Sequence, residues 1–127
     1  MINDHKLLIK RADTFGKRFK GLMFKRSFYK EGLLLAPCNS VHMFFMRFPI
    51  DVVFVDQNGV IVRCMRRLKP WRVSPIVKSS YYVLELPVGS IDEFCLEKGK
   101  LICIPADGKI FNFTYQNVKK QKHQQIR

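Results

Sequence analysis

Asp51-Val52-Val53-Phe54-Val55-Asp56-Gln57-Asn58-Gly59-Val60-Ile61-Val62-Arg63-Cys64-Met65-Arg66 is the stretch on which the fold turns. Asn-Gly between two runs rich in β-branched residues is the strongest short-range hairpin cue, and it predicts a two-residue type I′ turn. Such a turn sets the register, because side chains alternate faces along each strand. Gln57 is then expected to face Val60, Val55 to face Val62, Val53 to face Cys64 and Asp51 to face Arg66. On the other face Phe54 opposes Arg63 and Val52 opposes Met65.

Working outward from the hairpin, Lys6 to Arg11 reads as a short strand with Leu7 and Ile9 on one face. Asp13 or Thr14 can cap a helix whose apolar stripe is Phe15, Phe19, Leu22 and Met23, at the spacing of an amphipathic helix. Gly32 to Ala36, closed by Pro37, fits a buried strand. Leu68 to Ser80 contains two prolines and little periodicity, so it reads as a long connection, and long loops in small domains are often functional. Tyr81 to Leu86 resumes as a strand. Ser90-Ile91-Asp92-Glu93 has the form of a capping box opening a short helix near residues 90–98, ended by Gly99. Leu101 to Ile104 and Ile110 to Tyr115 complete the strands. The expected architecture is mainly β, α+β by content: one compact β-sandwich or barrel-like domain over residues 1–116, with residues 117–127 a basic, disordered tail.

The chain has 127 residues, the size of one domain, and 47% of them are hydrophobic, so it can bury a core without disulfide or metal. No apolar run approaches the roughly 18 residues of a membrane span, and Met1 to Lys6 begins no secretory segment, so a cytoplasmic protein is expected. Lys and Arg total 23 against 10 acids, a net charge of +13. No acid lies between Asp56 and Glu85, where Arg63, Arg66, Arg67, Lys69, Arg72 and Lys78 accumulate. Such a field attracts polyanions in a salt-sensitive way, although high charge also serves solubility. Cys38, Cys64, Cys95 and Cys103 form no C-x-x-C pair, so neither a metal centre nor another cofactor is expected.

Three blocks of sequence resemble a family of uncharacterised bacterial and archaeal proteins, domain-of-unknown-function family 192. They are Thr14-x-x-x-Arg18-x-x-Gly21-Leu22-Met23; His42-x-Phe44-x-Met46-Arg47-Phe48-Pro49-Ile50-Asp51-Val52-x-Phe54-x-Asp56, continuing to Gly59-Val60; and Leu84-Glu85-Leu86-Pro87-x-Gly89, preceded by Leu68-x-Pro70-x-Arg72. The resemblance spans residues 12 to about 104. It implies a mainly β domain with a short N-terminal helix and a second helix before the last strands. It implies no activity, since the family has none established. The basic tail beyond Tyr115 and the cysteines at 64, 95 and 103 depart from the family pattern.

Candidate sites each have a structural rival. Cys38, His42 and Asp51 supply the residue types of a thiol enzyme, but activation needs a base within hydrogen-bond reach, and a polar cluster fixing the loop before the central strand explains them better. Met43, Phe44, Phe45, Met46 and Phe48 suit a ligand pocket or a core. Arg47 within that run must emerge or find a partner, and with Arg18 and His42 it can line an anion-binding recess. Lys69, Trp71 and Arg72, with Arg66 and Arg67, set one aromatic among cations, the elements of a nucleic-acid contact. No P-loop, Rossmann fingerprint, G-x-S-x-G elbow or H-E-x-x-H is present. The sequence therefore points to a binding or accessory domain for a protein partner or small ligand, with nonspecific nucleic-acid binding and an unrecognised thiol activity as alternatives.

Overall fold

Ile50-Asp51-Val52-Val53-Phe54-Val55 carries side chains of low polarity on both of its faces, which is the pattern of a strand covered on both sides. In the computed structural model, which describes residues 6–12, 30–44, 46–106 and 109–120, every residue of this strand is buried. The described strands in chain order are β1 (Leu7–Arg11), β2 (Glu31–Leu35), β3 (Ile50–Val55), β4 (Ile61–Leu68), β5 (Tyr82–Leu86), β6 (Leu101–Ile102), β7 (Ile110–Phe113) and β8 (Val118–Lys119), with one short helix, α1 (Ser90–Glu93), between β5 and β6. Six strands form one mixed sheet in the order β4-β3-β5-β2-β1-β7, and β6 pairs with β8 in a second, two-stranded sheet. The fold is mainly β as expected. It is not a closed barrel: the large sheet ends at β4 on one side and β7 on the other.

Only β1 and β2 run parallel; their connection contains residues 13–29, so the expected N-terminal helix and Arg18 lie outside the described residues. One face of the sheet packs Ile9, Leu34, Val53, Leu84 and Leu86 against Ile91 and Phe94 of the α1 region and against Ile102. The opposite face packs Leu33, Val52, Phe54 and Val83 under the loop residues Val41, Met43 and Met46. Gly32 sits where β1, β2 and β5 come closest: a Cβ there would lie 2.6 Å from Ile9 Cδ1 and 3.0 Å from the Glu85 carbonyl oxygen.

The hairpin forms with a different turn. Asp56 N–H donates to the Val60 carbonyl (2.9 Å) and Gly59 N–H to the Asp56 carbonyl (3.1 Å), and Gly59 alone in the loop is left-handed, at φ +89°. This is a three-residue loop with a glycine bulge, not a two-residue type I′ turn. Asp56 decides it, because its Oδ1 accepts from Asn58 N–H (2.8 Å) and Val60 N–H (2.9 Å), which favours a wider turn than Asn-Gly alone requires. Val55 consequently faces Ile61 rather than Val62, while Phe54–Arg63, Val53–Cys64 and Val52–Met65 pair as expected.

The expected Asp51–Arg66 pair does not form. A second irregularity between Ile50 and Val52 puts Arg67 in a left-handed conformation, φ +53°. The Arg66 guanidinium turns instead to Asp92, with Nε and Nη2 donating to Oδ1 at 3.0 and 2.9 Å. Asp51 is buried and accepts three backbone N–H groups: Arg67 on Oδ1 (3.0 Å), and Gly89 (3.1 Å) and Ile91 (3.0 Å) on Oδ2.

Asp51 thereby replaces the expected capping box. The N-cap of α1 is Gly89, left-handed at φ +98°, and Ser90 Oγ donates to the Pro87 carbonyl rather than capping. The helix also stops early. Cys95 adopts φ +54°, with its N–H bonded to the Asp92 carbonyl and that of Leu96 to the Ile91 carbonyl, a Schellman ending well before Gly99. Val118 and Lys119, which their polar surroundings assign to the tail, form β8; residues 121–127 lie outside the described residues.

Two measurements test these constraints. Asp51→Asn places an amide N–H₂ against at least one buried backbone donor, and its urea midpoint is expected to fall by the equivalent of about 2 kcal/mol. Gly32→Ala is expected to cost about 1–3 kcal/mol, because the obstructing Glu85 carbonyl belongs to the backbone and cannot swing aside. An unchanged midpoint in either variant contradicts the corresponding account.

Candidate nucleic-acid interface

The sheet face opposite α1 is covered by two irregular segments, and their backbones bond to each other. Val77 N–H donates to the Asn39 carbonyl (2.8 Å), Ser74 N–H to the Val41 carbonyl (2.8 Å), Met43 N–H to the Arg72 carbonyl (2.7 Å) and Trp71 N–H to the Met43 carbonyl (2.7 Å). The buried hydroxyl of Ser74 accepts from Val41 N–H at 2.8 Å, and His42 pairs with Val73 as an antiparallel bridge. The Leu68–Ser80 connection is thus half of a ribbon whose other half precedes β3. Alternation then sorts the side chains: Val41, Met43 and Met46 point into the core, while Phe44, Trp71, Val73 and Ile76 are exposed.

The ribbon brings into one place aromatics that the sequence separates widely. The His42 and Phe44 ring centroids are 4.8 Å apart and tilted by 31°, and those of Phe44 and Trp71 are 6.1 Å apart and tilted by 35°. Trp71 is 58% exposed and held at φ +67°, a conformation that disfavours a bulky residue and persists because bonds on both sides fix it. Arg47, Lys69 and Arg72, each within three residues of Phe44 or Trp71 along the chain, are exposed, as are Arg66 and Arg67 near the end of β4.

The remaining candidates fall as follows. Arg47 is exposed, and Arg18, its partner in the expected anion recess, lies outside the described residues. Phe44 N–H reaches His42 Nδ1 at 3.4 Å, a long contact. Cys38 packs at the edge of the core beneath the ribbon, and its Sγ–H donates to the Ser40 carbonyl at 3.1 Å. Asp51 spends both carboxylate oxygens on the N–H groups of Arg67, Gly89 and Ile91, and neither Cys38 nor His42 is among those partners. Among the described residues no group of three or more His, Cys, Asp or Glu comes together as a metal ion would need.

Two features of the site have no counterpart in the sequence reading. Val73 and Ile76 are exposed apolar residues in a segment without periodicity, so nothing local marks their orientation. Glu85 is fully buried in β5, opposite Leu33 and Val52, and the available signal was an acid inside a strand that is otherwise apolar on both faces.

Among the thiols, burial pushes Cys64 up from 9.0 to about 11, and nearby Asp51 and Glu97 add to a shift that Arg66 opposes. The thiolate is the reactive form, and only about a thousandth of Cys64 is thiolate at pH 8. With iodoacetamide at that pH, the exposed Cys95 and Cys103 are expected to be modified first. Cys64 should follow only as pH rises toward 11, about tenfold faster per unit; prompt labelling at pH 8 contradicts this burial.

No helix among the described residues is long and apolar enough to cross a membrane. A UPF0127 protein of Thermococcus sibiricus is 38% identical over 96 residues, covering 72% of this chain and 62% of the relative, so the chain spans less than two thirds of that relative's length. A UPF0127 protein of Pyrococcus furiosus is 39% identical over 93 residues, covering 69% of this chain and 78% of the relative. Among solved structures, a protein of unknown function from Novosphingobium aromaticivorans superposes with a TM-score of 0.62 over 71% of this chain and 69% of the other, at 22% identity, which speaks to the fold alone. The DUF192 model, described as an uncharacterized ACR, matches residues 1–104, the hairpin and the ribbon included, and the chain belongs to that family.

Proposed function

We propose that this domain is a binding module for single-stranded nucleic acid, and that the ribbon face is where it binds. The observation that carries the reading is the row His42, Phe44, Trp71, set on a hydrogen-bonded backbone ribbon, with the exposed Arg47, Lys69 and Arg72 within three residues of Phe44 or Trp71 along the chain. Bases stack on aromatic faces whatever their identity, while cations beside them hold phosphates; the pair of features gives sequence-tolerant binding to single strands. A duplex hides its ring faces, so the stacking row favours single strands over double. The net charge of +13 adds long-range attraction and a steep dependence on salt. The reading extends to a cytoplasmic setting, which the exposed thiols Cys95 and Cys103 support, since exposed thiols persist in a reducing compartment.

Trp71 is the chain's single tryptophan, so its fluorescence reports on this face directly. A single-stranded oligonucleotide of about 12 residues is expected to quench it and to bind more tightly than the matching duplex. Trp71→Ala should weaken binding, read by anisotropy of the labelled strand, by about tenfold, the scale of one stacked base. The reading fails if Trp71→Ala binds as wild type does, or if the duplex is preferred.

A further inference from the structure

Beside the ribbon, along the outer side of β4, lies an open groove of about 610 Å³. β4 ends the large sheet, so side chains from both of its faces reach this side: Arg63, registered with Phe54, and Cys64, registered with Val53. One wall is Leu96, Glu97 and Lys98, the turn that follows α1, and the other is Ile76 and Val77. The last two belong to the same loop as Trp71, five and six residues further along it, so the chain that carries the aromatic row also forms a wall of the groove. Its charges are Arg63, Arg66 and Lys98 against Glu97, and Arg66 is already engaged by Asp92. Its apolar lining comes from Val62, Ile76, Val77 and Leu96.

We infer that this groove is a second nucleotide-binding subsite, taking the phosphates of a strand that leaves the aromatic row over Ile76, with Arg63 and Lys98 as the phosphate contacts. The inference rests on the ribbon reading and adds a direction and a length to it. Arg63 and Lys98 are exposed and bring two cations into the groove, while Ile76, 69% exposed, offers an apolar surface for a base or sugar between the two parts. A strand confined to the aromatic row has no use for Arg63 or Lys98; a longer one reaches both. Binding therefore depends on length in a way that a uniform basic surface does not produce.

The test compares oligonucleotides of about 4 and about 12 residues against wild type, the double variant Arg63→Ala/Lys98→Ala and Trp71→Ala, using Trp71 quenching where Trp71 is present and anisotropy throughout. Both replaced cations are exposed, so the double variant keeps the core; its thermal midpoint confirms folding. The double variant is expected to bind the longer strand about tenfold more weakly, with its salt dependence shallower by about 1.4 from two lost phosphate contacts, and the shorter strand as wild type does. If it binds the longer strand as tightly as wild type while Trp71→Ala still weakens both lengths, the groove inference falls and the ribbon reading stands. If neither length quenches Trp71 in the wild type, both fall. If polyglutamate of matched charge displaces the longer strand as well as nucleic acid does, the groove is a general anion site and the inference falls.

Discussion

Asp51 ties the far end of β4 and the start of α1 to the central strand. Its carboxylate lies in the central strand β3, buried, and among the described residues accepts from three backbone N–H groups. A buried carboxylate without such donors is strongly unfavourable, so the conformation that supplies them is selected as a unit. Arg67 can present its N–H only through the bulge that makes it left-handed. Gly89 and Ile91 can do so only if the β5–α1 turn closes toward β3. One side chain thereby fixes how β4 leaves the sheet and where α1 begins. Arg66, released from the strand pairing expected for it, instead ties β4 to α1 through Asp92 on the surface.

The sheet built around β3 is buried on both faces by different means. On one side α1, its following turn and the β6–β8 pair supply a layer, with Phe94 packed edge-on against Phe113 at 5.2 Å and tilted by 48° against Tyr115 at 5.1 Å. Tyr115 also donates its hydroxyl to the Glu93 carbonyl at 2.7 Å, which binds the C-terminal segment to the helix. On the other side, among the described residues, the cover is irregular chain whose backbone polar groups are satisfied strand-to-strand in the ribbon. Buried irregular backbone is tolerable only when so paired. The same pairing leaves alternate side chains facing outward, and that is how a segment needed for packing also presents Phe44, Trp71 and Val73.

Charge and aromatic surface are thus not independent features of this molecule. The run from Asp56 to Glu85 lacks acids, and it contains both the outer strand β4 and half of the ribbon. Arg63 and Arg66 of that run line the groove, while Lys69 and Arg72 flank Trp71 along the chain. The field there is local, and ions at physiological strength screen it beyond about 8 Å. Any ligand is then read at short range, by ring faces and guanidinium groups, rather than by net charge alone.

Sequence alone determined the mainly β class, the hairpin, the positions of β1 to β7 and the family, because these follow from local alternation, turn residues and motif order. It marked Trp71 with Lys69 and Arg72 as a candidate contact because cations flanking a lone aromatic form a local pattern. It did not show that His42 and Phe44 stand beside Trp71, because that contact depends on backbone bonds between segments about thirty residues apart, with no periodic signal in either. The partners of Asp51 were likewise a tertiary decision, whereas the type of turn was set locally, by the Asp56 carboxylate accepting from Asn58 and Val60. Asn-Gly prefers a two-residue turn and Ser-x-x-Glu a capping box, but the Asp56 carboxylate in the loop and the buried Asp51 carboxylate in β3 each gained more hydrogen bonds from the alternatives. Local preferences are worth about 1 kcal/mol apiece, and a buried carboxylate satisfied by several N–H groups outweighs them.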